Sequence, residues 1–240
     1  MHKFLLFEYV NFAVQIDFVN QLSIELFQLK NITLEMAELV KAQVVGIMQA
    51  TVNFDLTLID EIELNERQVD NLDLRIERKC EQILALFSPV ARDLRFVFAI
   101  NKIVDDLEGI SDNAHAIGKY LLETSEAFDK KALDALEFKR MHDQLLTMLD
   151  ALMLALEEES SDRARFVLAQ EDVLDQLNIK ANGVIARLAS ASCNEAEVAD
   201  LLNLLTIIRK IEKIGDYLAN IAERIIYFID ARVVKHGLAG

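Results

Sequence analysis

The sequence is poor in the residues that interrupt helices. It has only seven glycines and one proline in 240 residues. Glycine weakens a helix by its backbone entropy, and proline weakens it because it has no N–H to donate. Proteins built from β-sheets need many such residues for their turns. The shortage therefore predicts an all-α fold made of long helices.

Cysteine and long apolar runs are also scarce. The two cysteines, Cys80 and Cys193, predict buried thiols rather than a disulfide framework, as expected in a reducing compartment. No stretch approaches the roughly 18–20 apolar residues needed to cross a bilayer. Glu8 interrupts the apolar patch near the N terminus after four residues, which is too short for a secretory signal. We therefore expect a cytoplasmic protein with no membrane insertion.

Positive charge is the third deficit. The chain has 25 lysines and arginines against 40 acidic residues, which gives a net charge of −15. Nucleic acids and anionic membranes both require a basic surface, so neither is an expected partner. The acidity favours cations or basic partner surfaces, and the alternative is that it only maintains solubility.

Apolar residues spaced by three and four run almost the whole length of the chain, as is typical of one-sided helices. Pro89 ends one of these periodic segments, because the residue before a proline is pushed out of helical geometry. Short polar links favour antiparallel neighbours in a bundle. The pattern predicts six helices, at about 14–52, 55–87, 91–123, 130–158, 162–189 and 195–234.

Two spaced pairs of acids occur twice. The pair Glu66 and Asp70 recurs 105 residues later, and the pair Glu108 and Asp112 recurs 104 residues later, with matching apolar neighbours. This predicts two tandem three-helix bundles from a duplicated unit. The first unit covers 1–125, including an N-terminal extension of about 1–20, and the second covers 126–240.

The repeated acids form stripes, because positions i and i+4 lie only about 40° apart on a helix. Like charges at that spacing cost about 0.2–0.5 kcal/mol per pair, which suggests a compensating cation. Each acid follows a core position, so stripes on two antiparallel helices can face each other. Clusters of carboxylates suit divalent ions and iron clusters, and the alternative is an empty solvated face. The candidate metal ligands are Glu66, Asp70, Asp105, Glu108, Asp112, Glu171, Asp175, Glu212 and Asp216.

The stripes are not equal. The first also contains Asp73 and Glu77, whose counterparts in the second repeat are Asn178 and Asn182. The counterpart of Asp105 is Arg209, which we expect to neutralise the second stripe, so the two sites should differ in affinity.

A histidine near the first stripe raises a second possibility. His115 follows Asp112 by three residues, as in ferritin-like di-iron sites. Its counterpart, Ala219, cannot complete such a pair, so His115 is either a ligand or an ordinary histidine at the surface edge. No nucleophile elbow, phosphate loop or Cys-x-x-Cys motif occurs, and we therefore expect no enzymatic activity. The alternatives are a carboxylate-bridged di-metal enzyme and a metal-free helical scaffold.

These motifs resemble the PhoU family of bacterial phosphate-signalling regulators. The similarity extends from about residue 22 to the C terminus and includes both repeats in order. It is carried by Ser88-Pro89-Val90-Ala91, Asp93-Leu94-Arg95, Asp106-Leu107-Glu108-x-Ile110-x-Asp112, Ile211-Glu212-x-Ile214-Gly215-Asp216 and Asn220-Ile221-Ala222-Glu223.

The resemblance implies a function as well as a fold. It implies metal ions held by the acid-x-x-x-Asp motifs, with iron, zinc, manganese and magnesium all possible. It implies a negative regulator of phosphate uptake and of phosphate-starvation signalling, which links a phosphate ABC transporter ATPase to a sensor histidine kinase. It also implies a homodimer. The chain departs from the usual Leu-Glu-Arg-Ile-Gly-Asp motif at Gly109, Ser111 and Lys213.

Overall fold

The computed structural model of the protein describes residues 2–192 and 194–234, with side chains from residue 20 onward. Cys193 therefore lies outside the described residues. The described chain forms seven helices and no β-strand, so the all-α prediction is confirmed. The helices are α1 (His2–Asn53), α2 (Leu58–Phe87), α3 (Ala91–Glu123), α4 (Lys130–Ala135), α5 (Phe138–Glu157), α6 (Ser161–Ala191) and α7 (Glu195–Asp230).

Helix α1 begins at His2 rather than near residue 14, and the prediction of a later start was wrong. No glycine or proline separates His2 from residue 14, so nothing in the sequence stops the helix from continuing. Helix α2 begins three residues later than predicted. The carboxylate of Asp55 accepts hydrogen bonds from the backbone N–H of Thr57, at 3.1 Å, and from its hydroxyl, at 2.6 Å, and these bonds hold the turn before α2.

The predicted fourth helix is broken into α4 and α5. The break lies at Leu136 and Glu137, and Glu137 adopts a left-handed conformation with φ of 54°. Leu136 and Phe138 are both buried, although residues two apart point in nearly opposite directions on a continuous helix. The break allows both side chains to enter the core. At the other end of the chain α7 stops at Asp230, four residues before the predicted end, and Ala231 caps it with φ of 55°.

Helices α1, α2 and α3 pack against one another, as do α5, α6 and α7. The two three-helix units are joined along α3 and α7, and α1 also contacts α5. Buried residues from both units form one continuous apolar cluster. No helix in the described part of the chain combines the length and apolar character required to cross a membrane.

The antiparallel contact between α3 and α7 is very close at Gly109. A β-carbon added to Gly109 would lie 2.5 Å from Cζ and 2.7 Å from Cε1 of the Tyr217 ring. The ammonium of Lys213 lies 5.3 Å from the centroid of the same ring. The departure from the PhoU motif at this position therefore has a structural reason, because the usual arginine would collide with Tyr217.

Polar groups lie on both sides of this contact. On one side Lys210 Nζ donates to Asn113 Oδ1 at 3.4 Å. On the other, Asn220 and Arg224 lie near Asp106, and both favour its ionised carboxylate. Burial outweighs both effects and raises the pKa of Asp106 to about 6. The α3–α7 contact therefore includes a carboxylate whose charged form is partly desolvated.

Cys80 lies on the buried face of α2. Its side chain is 2 % exposed, and its thiol contacts the backbone carbonyl of Val97 on α3 at 3.9 Å. Burial, with smaller effects from Glu77 and Glu81, raises the pKa of the Cys80 thiol to about 12. Cys80 is thus a free, buried cysteine that is protonated at neutral pH.

The close contact at Gly109 predicts an unusual response to alanine. Alanine normally stabilises a helix by about 1 kcal/mol relative to glycine, but at residue 109 overpacking against Tyr217 should cost about 1–3 kcal/mol. We expect Gly109→Ala to lower the free energy of unfolding in urea. Gly183→Ala, where an added β-carbon meets nothing within 4 Å, should raise it. Equal stabilisation by the two substitutions would contradict this packing.

The environment of Cys80 predicts that its thiol is shielded from reagents. In a Cys193→Ser variant, which leaves Cys80 as the sole cysteine, we expect Ellman's reagent to detect almost no thiol in the native protein and one thiol in denaturant. Rapid modification of the native variant at neutral pH would contradict the described burial.

Candidate functional site

The first group of acids lies between α2 and α3, and we call it the first acidic cluster. Helix α2 contributes Asp70 and Asp73, and α3 contributes Asp105, Glu108 and Asp112. Burial is the main cause that raises the pKa of Glu108, followed by the charges of the other four acids. The predicted facing of the two stripes therefore occurs in the structure.

The positions of these acids follow from the core. Val69, Leu72 and Leu107 are buried, and an acid comes directly after each of them in the sequence. Successive residues on a helix are 100° apart, so these acids flank the apolar contact between α2 and α3. The cluster is held at the edge of the core by the residues that fill it.

Asp73 belongs to this cluster although it was not among the nine nominated ligands. Its pKa is raised by burial first, and then by the charges of Glu77, Asp105 and Asp70. Its place after the core residue Leu72 was the available sequence signal.

Glu66 has a different partner. Its Oε1 contacts Nδ1 of His115, and each of the two side chains is 19 % exposed. The contact links α2 to α3, one turn along α2 from Asp70. The contact with Glu66 is sufficient to explain why a histidine occupies position 115.

The second acidic cluster consists of Asp175 on α6 with Glu212 and Asp216 on α7. Burial is again the main cause that raises the pKa of Glu212, and Asp216 and Asp175 add to it. Lys213 opposes them, and its Nζ lies 2.8 Å from Asp216 Oδ2. Glu171 is half-buried on α6, one turn before Asp175. This cluster has fewer acids and a lysine at its edge.

Arg209 lies in this region but bonds to an amide. Its Nη2 donates to Asn182 Oδ1 at 3.1 Å, which links α7 to α6. The first repeat has a local cation too, because Lys102 Nζ lies 2.8 Å from Asp105 Oδ2. Each lysine offsets only one of the negative charges in its cluster, so both clusters keep an excess of carboxylates.

With the described side-chain positions, neither acidic cluster forms a complete metal site. Among the described side chains, no three from histidine, cysteine, aspartate and glutamate converge closely enough to hold one metal ion. The donor set is all oxygen apart from His115, which suits hard cations. Metal binding therefore stays a prediction, and it requires carboxylates to rotate towards each other.

Comparison with known proteins agrees with the motifs. The model of the PhoU domain matches this chain twice, at residues 33–121 and 138–225. A protein from Pseudomonas aeruginosa named phosphate-specific transport system accessory protein PhoU homolog is 26% identical over 217 residues, which is 90% of this chain and 88% of that protein. A protein from Thermotoga maritima, named phosphate-specific transport system accessory protein PhoU homolog 1, is 29% identical over 217 residues, which is 90% of this chain and 92% of that protein.

Solved structures agree as well. The crystal structure of PhoU from Pseudomonas aeruginosa has a TM-score of 0.80 and 26% identity, and covers 88% of this chain and 99% of its own. The phosphate transport system regulatory protein PhoU from Streptococcus pneumoniae has a TM-score of 0.77 and 25% identity, with 89% and 99% covered. Since the family model matches well over half of the sequence and falls on both repeats, this chain belongs to the PhoU family.

Proposed function

We propose that this chain is a cytoplasmic accessory protein that restrains phosphate uptake and phosphate-starvation signalling when phosphate is plentiful. It acts as an adaptor between the ATPase of a phosphate ABC transporter and a sensor histidine kinase. The observation that carries the proposal is the match of both repeats to the family, together with relatives named as phosphate transport accessory proteins along nine tenths of the chain.

The fold suits an adaptor. Its two units share one apolar core, and many residues on the outer faces of the long helices are exposed. Such a protein works through its surfaces and requires no reacting group of its own. We further propose that it acts as a homodimer, the commonest form of soluble oligomer.

We also propose that the acidic clusters bind metal ions. The raised pKa values of Glu108, Asp73 and Glu212 indicate that their negative charges are crowded and partly desolvated. A bound cation would relieve that repulsion and would tie α2 to α3, and α6 to α7. The first cluster has more carboxylates, so it should bind more tightly.

The regulatory proposal predicts a phenotype in the host. Cells without this gene should transcribe their phosphate-starvation genes even in phosphate-rich medium, because the restraint on the kinase is missing. Transcript levels measured in rich and poor medium test this, and restoring the wild-type gene is the control. Normal repression in the deleted strain would contradict the proposed function.

The metal proposal predicts stabilisation by a cation. A ligand present at about 100 times its Kd stabilises the native state by about 2.7 kcal/mol. For a chain of this size that raises Tm by several degrees, because 1 kcal/mol shifts Tm by about 2–4 °C. We expect manganese, iron, zinc or magnesium to raise Tm relative to a chelator. The double variant Glu108→Gln/Asp112→Asn should lose most of the effect.

The second repeat provides the matched control. Glu212→Gln/Asp216→Asn removes the corresponding pair and should lose less of the metal-dependent shift, because its cluster has fewer acids. Elemental analysis of the variant in which all four acids become alanine should find no bound metal. Stoichiometric metal in that variant, or identical wild-type melts with every metal and with chelator, would rule out the assignment.

A further inference from the structure

The outer face of α1 and α2 carries a basic groove in an otherwise acidic protein. The groove has a volume of about 490 Å³, and we call it the α1–α2 groove. Its lining residues are amides, aliphatic side chains and three cations, and no carboxylate belongs to the described lining. They are Gln28, Ile32, Asn71, Leu74, Arg75, Arg78, Lys79 and Gln82. In a chain with a net charge of −15, this concentration of positive charge requires a reason.

The cations differ in what they contact. Lys79 Nζ contacts the carboxylate of Glu25 and donates to Gln28 Oε1 at 2.8 Å, so it links α2 to α1. Arg75 and Arg78 are exposed, and neither makes a hydrogen bond or an ion pair within the described part of the chain. Two guanidinium groups are therefore available, and this group binds planar carboxylates through two parallel hydrogen bonds.

The groove also has an apolar part. The side chain of Leu74 is 49% exposed, and Ile32 on α1 is half-buried beside it. Along α2, Asn71, Leu74 and Arg78 are spaced by three and four residues, so they lie on one side of the helix. An occupant with both carboxylates and apolar side chains fits this surface.

The second repeat lacks this groove chemistry. At the offset of 105 residues Arg78 corresponds to Gly183 and Lys79 to Val184. Arg75 corresponds to Lys180, and Lys180 is paired with Glu137. At two of the three positions the same helix in the second unit carries no charge, and at the third the lysine is already paired, so the fold does not require unpaired basic residues there.

We infer that the α1–α2 groove docks an acidic amphipathic helix of a partner protein. The carboxylates of that helix pair with Arg75 and Arg78, and its apolar side chains pack on Leu74 and Ile32. A groove between two packed helices accepts a third helix in this way. A single helix in the groove lies near Arg75 and Arg78, and the acids farther away are screened by salt. A flat anionic membrane would also face the acids around the groove in a chain of net charge −15, so anionic lipid is the disfavoured occupant. The inference goes beyond the proposed function, because it assigns a surface and a partner chemistry that the adaptor role leaves open.

A synthetic peptide tests the groove directly. The probe is a fluorescent helix-forming peptide with leucines at i, i+3, i+4 and i+7 and glutamates beside them. It is titrated with the full-length chain by fluorescence anisotropy. We expect Arg75→Gln/Arg78→Gln to weaken binding at least tenfold. Leu74→Gln should also weaken binding, because the leucines of the peptide lose an apolar contact, whereas binding to a purely ionic surface would not change.

The control removes the same charge from the second repeat. Lys180→Gln/Arg187→Gln should bind the peptide like the wild type, and both double variants should melt at the wild-type temperature. Equal binding by the two double variants would overturn the inference. So would arginine-dependent binding to phosphatidylglycerol vesicles without binding to the peptide.

A test in the host separates this inference from the proposed function. If the gene deletion has no phenotype, the proposed regulation fails while peptide binding still decides the groove. If deletion derepresses the starvation genes, the Arg75→Gln/Arg78→Gln variant should fail to restore repression. Full repression by that variant would overturn the inference and leave the proposed function intact.

Discussion

The rest of the structure depends on the close packing of α3 against α7. These helices come from different repeats, yet they lie side by side within one continuous core. Gly109 permits the approach by leaving room for the ring of Tyr217, and polar pairs such as Lys210 with Asn113 lie along the same contact. Because the α3–α7 contact fixes these two helices relative to each other, it also fixes the helices that pack on their outer sides.

Both acidic clusters lie on helices that take part in this contact, although the packing of α2 on α3 and of α6 on α7 forms them. Helix α3 in the first unit and helix α7 in the second each present one edge to the helix that precedes them. The acids lie along this edge, next to buried residues. Core packing therefore brings Glu108 near Asp73 and brings Glu212 near Asp175, against their mutual repulsion. The crowding of charge is an imposed feature of the fold, and it is the physical reason to expect a cation there.

Much of the architecture could be predicted because helical spacing and internal repetition are local signals. Features that depend on which residues become neighbours in three dimensions could not be predicted from the sequence. The break at Glu137 follows from the burial of both Leu136 and Phe138, and no glycine or proline marks it. The contact of Glu66 with His115 depends on how α2 and α3 are aligned, and the basic groove depends on how α1 lies beside α2.

The shared core has a consequence for the chain as a whole. If the chain were divided at the loop between α3 and α4, each of the two fragments would expose the apolar surface that the other fragment had covered. Separately, such fragments should be prone to aggregation, and together they should reassociate without a covalent link. In the intact chain each unit therefore shields apolar surface of the other from water.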